Sequence, residues 1–241
     1  MALTPGFQQA LDRAVAALKT RLGENLHSLA LYGSAAREGV EKPADLNLLI
    51  VLQESTPEAH AAIAEAIRGP VPIEPFILGR AHLGRSLQAF AVKFLSVRRH
   101  RRILHGADPL ADLRVSEKVG RFLAEQAVLN LRLRLVHAFV VLGRDRSRYS
   151  RAVTEALPAI FTDLAEVLRQ AGREVPEPFA DRIPLFSREF GADASVLADL
   201  LSLKAAARTL AAEEVTSLHA RLSRLLDAAV RWLEAAWPPL D

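Results

Sequence analysis

The sequence has no cysteine. That excludes disulfides and thiolate metal sites, and a cytoplasmic location is the expectation that fits. No apolar run approaches the roughly 18 residues of a membrane-spanning helix, so no membrane span is expected. The opening stretch MALTPGFQQALDRAV lacks a basic segment followed by an apolar one, and it reads as mature sequence rather than a signal peptide. Excess charge is scarce as well. Against 28 acidic side chains stand 31 lysines and arginines, and the net of +3 is too small to argue for a nucleic-acid partner. Internal repeats and low-complexity tracts are absent. The seven histidines show no metal-binding spacing, and His100 and His105 are flanked by arginines that repel a cation. His137 lies within an apolar stretch and reads as a hydrogen-bonded core residue. Nothing resembles the strand–turn–helix elbow of a serine nucleophile.

What is there is apolar mass. Half of the 241 residues are hydrophobic, enough for one large domain or two small ones. The first half alternates between element types. Thr4-Pro5 is a helix start, and Phe7, Leu11, Val15, Leu18 and Leu22 follow at helical spacing until Gly23. Leu26 to Tyr32 reads as a strand. Leu46 to Leu52 (LNLLIVL) is nearly all apolar, as in a strand buried on both faces. Pro57 to Arg68 reads as a short helix, and Val71 to Leu78 and Ala89 to Val97 as two more strands. From about Ser116 the pattern turns helical. A stretch free of glycine and proline, apart from Gly120, runs to Gly143, followed by helical stretches at Ser147 to Gln170 (which contains Pro158), Ala192 to Ala212 and Glu213 to Trp237. The proline-bearing segment Val175 to Pro184 reads as a separator. LNLRLRLV, Leu129 to Val136, alternates like a strand. Its unbroken surroundings favour helix, and its leucines would then need several neighbours to bury them. The expected class is α+β: a small mixed sheet over residues 1–114, then a helical bundle over 115–241.

The chemistry lies in LYGSAAREGVEKPADLNLLIVL, Leu31 to Leu52. Glycine at a strand end lets the chain turn sharply and approach a ligand. Ser34 offers a hydroxyl and nearby backbone N–H groups to a phosphate. After ten intervening residues Ser34 is followed by Asp45, two before Asn47, and residues i and i+2 of a strand share a face. Two carboxylates at these positions would hold Mg²⁺ bridging a triphosphate.

Gly33-Ser34, Arg37 and Asp45-x-Asn47 followed by Leu-Leu-Ile-Val resemble the DNA polymerase β-like nucleotidyltransferases. Small bacterial members and the kanamycin nucleotidyltransferases share this form. The resemblance spans about Leu22 to Val97, with a further similar phrase at Phe94 to Leu113. It implies that Gly33, Ser34 and Arg37 bind nucleotide and that Asp45 is the first metal carboxylate. Asn47 stands where a second carboxylate belongs. That departure implies a loss on the order of several kcal/mol of transition-state stabilisation. The third acid is Glu74 in VPIEPFIL, or else its place is position 93, which here is lysine.

Two functions follow as expectations. One is transfer of a nucleoside monophosphate, AMP from ATP, to a hydroxyl of an unknown acceptor with Mg²⁺; Asp45, Asn47 and Glu74 are then the catalytic set, and Asp45 and Asn47 the metal ligands. The alternative is a binding or regulatory module that keeps the fold without turnover. Acids gathered around Asp45 favour the first. Asp45 beside Lys93, with Glu74 turned away, favours the second. The basic run VRRHRRILH, Val97 to His105, lacks the interleaved aromatics of a base-stacking surface and reads as solvated, so nucleic acid is not an expected partner. Trp232 and Trp237 either pack down the last helix or contact a second subunit. The bundle permits a homodimer.

Overall fold

Helix α1 (Pro5–Leu22) begins with proline in its first turn, where no N–H is missed, and ends at Gly23 with a φ of 51°. Ala10, Leu11, Ala14, Leu18 and Leu22 form its buried stripe. The computed structural model describes residues 3–37, 43 and 45–237. They fall into two units, Met1–Val115 and Ser116–Asp241.

In the first unit, strands β1 (Leu26–Tyr32) and β2 (Leu46–Leu52) run antiparallel at the expected bounds. Most of the loop between Arg37 and Asp45 lies outside the described residues. After β2, helix α2 (Pro57–Ala66) crosses over to strand β3 (Ile73–Gly79), which lies parallel to β2. The sheet is therefore mixed, as expected. Its alternating side chains feed two cores. Leu29, Leu31, Leu48 and Ile50 pack against α1 and α2 on one face. Ala30, Tyr32 and Leu49 face the other.

The second face holds a correction. Ala89 to Val97 is not a strand. Helix α3 (Leu83–Ala89) and helix α4 (Ala91–Arg99) occupy this stretch. Leu87, Ala91, Phe94 and Val97 fall at helical spacing, and all four are buried. The fourth strand is β4 (Arg101–Gly106), which takes up the second half of the basic run, paired antiparallel with β1. The order is β3-β2-β1-β4, so β4 is an edge. An edge strand can be basic and half exposed, which hides it from any search for apolar runs.

The second unit is helical: α5 (Glu117–Leu142), α6 (Arg146–Gln170), α7 (Phe179–Phe190), α8 (Val196–Ala206) and α9 (Ala212–Ala236). Helix α5 packs along α6 and α9. Leu129 to Val136 is helix, but its leucines are not all buried. Leu131 and Leu135 face inward while Leu129 and Leu133 are exposed. His137 is exposed too, so it is no core residue. The segment around Pro184 is no mere separator, because α7 runs through that proline. One proline removes one ladder bond, and burial of Leu185, Phe186 and Phe190 outweighs it. Trp237 packs edge-on against Trp232, and Trp232 against Phe190, so both tryptophans tie down α9. No described helix is long and apolar enough to cross a membrane.

Candidate active site

Tyr32 ends β1 and Gly33 begins a single turn of 3-10 helix, Gly33–Ala36. Gly33 has a φ of 76°, which a side chain resists. A Cβ there would lie 3.5 Å from the Asn47 amide nitrogen, so the turn rides directly over the Asn47 side chain. Arg37 closes the turn, its N–H donating to the Ser34 carbonyl at 3.1 Å. Ser34 and Arg37 are both half-buried.

Sheet register does the rest. Tyr32 pairs with Asn47 across the β1–β2 ladder, and Asn47 with Glu74 across β2–β3. On the other flank Tyr32 pairs with Arg101. Residues paired in register share a face, so Arg101, Tyr32, Asn47 and Glu74 form one row across the sheet. Asp45 joins it directly. The Asn47 amide donates to the Asp45 carboxylate at 2.5 Å. Glu74 is exposed, while Asp45 and Asn47 are half-buried. Gly33, Asp45, Asn47 and Glu74 are thus brought together, with Ser34 and Arg37 in the adjoining turn.

Tyr32 is the residue that sequence reasoning missed. Burial pushes its phenol up to about 12, and the carboxylates of Asp45 and Glu74 push the same way. The phenol therefore reports both acids from one place. The available signal was its position, immediately before Gly33. Arg101, at the end of the row, is paired with Asp108, whose carboxylate accepts from its Nε at 3.0 Å. That pairing keeps the Asp108 carboxyl below its ordinary range.

Lys93 lies on α4, not on a strand beside Asp45. Its ammonium sits 4.4 Å from the centre of the Phe76 ring. Phe76 lies two residues beyond Glu74 on β3, hence on the same face. Desolvation against this surface holds the lysine below its usual value. With Glu74 in the row rather than turned away, the arrangement does not favour the binding-module alternative.

Among the described residues no three His, Asp or Glu side chains converge as a ready-made metal cage. A magnesium ion does not require one. It typically takes one or two carboxylates together with substrate phosphates. Asp45 supplies a carboxylate. With its amide nitrogen committed to Asp45, Asn47 has its oxygen left to offer. The donor set fits a single ion shared with a triphosphate better than a two-ion cluster.

No family model and no curated protein matches the sequence. The structure does find a counterpart. A spectinomycin adenyltransferase from Enterococcus faecialis, crystallised with ATP and spectinomycin, aligns over 94% of this chain and 99% of its own, with a TM-score of 0.57. This is a nucleotidyltransferase fold. Identity between the two chains is 12%, so the likeness speaks for the fold and leaves the chemistry to the residues. A nucleotidyltransferase fold is what the Gly-Ser and Asp-x-Asn pattern implied.

Proposed function

We propose that this chain transfers AMP from ATP to a hydroxyl of an acceptor molecule. The register of Asn47 with Glu74 carries the reading, because it sets Asp45 and Glu74 on one face beside the glycine–serine turn. Likeness in fold to an adenyltransferase crystallised with ATP supports it.

In this reading Gly33 brings the backbone close to the β- and γ-phosphates. Ser34 donates its hydroxyl to them, and Arg37 adds positive charge. Asp45 and the Asn47 oxygen would hold Mg²⁺, which when bound would supply positive charge to offset that of the triphosphate. Glu74, the more exposed carboxylate, takes the proton from the attacking hydroxyl. The hydroxyl oxygen bonds to the α-phosphorus, the bond from that phosphorus to the α,β-bridging oxygen breaks, and pyrophosphate leaves. Tyr32 stays protonated beside the two carboxylates, whose charge and its own burial oppose its ionisation.

Calorimetric titration with ATP, with and without Mg²⁺, tests the reading beside Asn47→Asp. Binding that needs Mg²⁺ and tightens in the variant is the expected result. Wild type and variant that both ignore ATP in either condition would overturn it.

A further inference from the structure

Seven large apolar side chains of α5 stand out in solvent, Val141 among them; the other six are Val119, Phe122, Leu129, Leu133, Val136 and Val140, at 39–76% exposure. With Gln126 these six step by three and four residues in turn. These are the a and d positions of three heptads, with Gln126 at one a position. The opposite face of the same helix, including Ala124, Val128, Leu131 and Leu135, is buried within the unit. An ideal helix drifts by about 20° per heptad against such a repeat. A stripe that keeps the repeat over three heptads suits a second helix wound along it, over about 32 Å.

We propose that this chain forms a homodimer in which α5 of two copies pairs along this seam, parallel and in register. The proposal does not rest on the transfer reaction. Self-pairing in register sets each apolar position on its own counterpart. It also sets Gln126 against the same residue of the second copy, where two amides satisfy one another. An antiparallel a-to-d pairing would instead place Gln126 against Val136 and leave a buried amide without a partner. Two arginines near the seam are already paired within the chain. Arg121 pairs with Glu117, and Arg132 with Asp227 of α9. Closing the seam removes roughly 1,200 Å² over two copies, at the lower end of what a specific interface needs. No other described helix exposes a comparable series.

Sedimentation equilibrium of the full chain reads the result. The expected mass is twice 26.4 kDa. Leu133→Glu sets a carboxylate in the middle of the seam at a position 63% exposed in the single chain, so folding is not at stake. It should raise the dissociation constant at least about 100-fold while circular dichroism stays unchanged. Because the chain has no cysteine, Gln126→Cys introduces a single thiol. Parallel pairing in register predicts a covalent dimer on mild oxidation. A wild type that stays monomeric at high micromolar concentration, or a dimer indifferent to Leu133→Glu, would overturn the seam. A dimer that Leu133→Glu loosens but Gln126→Cys cannot cross-link would overturn the parallel register.

Discussion

The Asn47 side chain donates its amide to the Asp45 carboxylate across 2.5 Å. Where the resemblance implies a second acid, this chain has built a neutral hydrogen bond. Before any ligand arrives, the bond spares the site the repulsion of two carboxylates at contact. Asn47→Asp therefore has two opposite consequences. In EDTA the hydrogen bond is lost and repulsion appears, and the melting temperature should fall by about 5 °C. With Mg²⁺ present the second charge has a partner, and the loss should be recovered. Differential scanning calorimetry in the two buffers measures both. A variant that melts identically in EDTA and in Mg²⁺ would show that no cation reaches Asp45.

Gly33 carries a conformational demand rather than a contact. A Cβ would meet Asn47 only at ordinary van der Waals distance, 3.5 Å, so space is not the obstacle. The φ of 76° is. Gly33→Ala should cost about 1–2 kcal/mol in urea unfolding. Should the backbone relax to escape that strain, the turn lifts from Asn47, and ATP binding weakens beyond what stability explains. Gly6→Ala, at a glycine where a Cβ meets nothing within 4 Å, is the control and should not touch ATP binding.

Both tyrosines of the chain resist ionisation. Burial pushes Tyr32 and Tyr149 up to about 12, with Asp45 and Glu74 adding to the effect at Tyr32. Absorbance of the folded protein near 295 nm should therefore show almost no tyrosinate at pH 10.5. The unfolded chain should titrate near 10. The linkage follows in sign. A folded pKa above the unfolded one gives stability that is full below pH 10 and lost as pH rises towards 12. Tyr32→Phe should remove about half of that alkaline loss.

The parts of the fold legible in the sequence are those whose burial pattern is local. β2 is central in the sheet, covered on both faces, and its seven residues are apolar but for Asn47. Its bounds could be read directly, and so could the β1 bounds and the end of α1. β4 could not, because an edge strand paired only with β1 carries arginines and histidine as freely as a loop does. α4 reads as strand because Ala-Val-Lys-Phe-Leu-Ser-Val is short and mostly apolar, and a run that short does not separate strand from helix by its pattern alone, while its burial follows Ala91, Phe94 and Val97. At the site, Gly33, Asp45 and Asn47 are close in sequence, and their grouping was visible. That Glu74 joins them depends on the β2–β3 register, and that Tyr32 reports both acids depends on burial. Neither is written in a short stretch of chain.

Asp163 of α6 stores a pH response within the helical unit. Burial, helped by the neighbouring Glu166 and opposed by Arg134, pushes its carboxyl up to about 7. Glu166 is fully buried on the same helix and takes a hydrogen bond from Gln170 at 2.8 Å. A raised folded pKa means that Asp163 contributes most below its unfolded value near 4, and that this is lost as pH rises through 7. Above pH 7 the protein holds an ionised carboxylate in poorly solvated surroundings, at a cost on the order of 3 kcal/mol. Asp163→Asn keeps the shape and removes the charge. Its benefit should be absent near pH 4, grow through pH 6, and level off above pH 7 at a gain in melting temperature on the order of 5–10 °C. Melting curves of both proteins across that range decide it. A benefit that does not change with pH would mean that Asp163 keeps an ordinary carboxylate pKa in the fold.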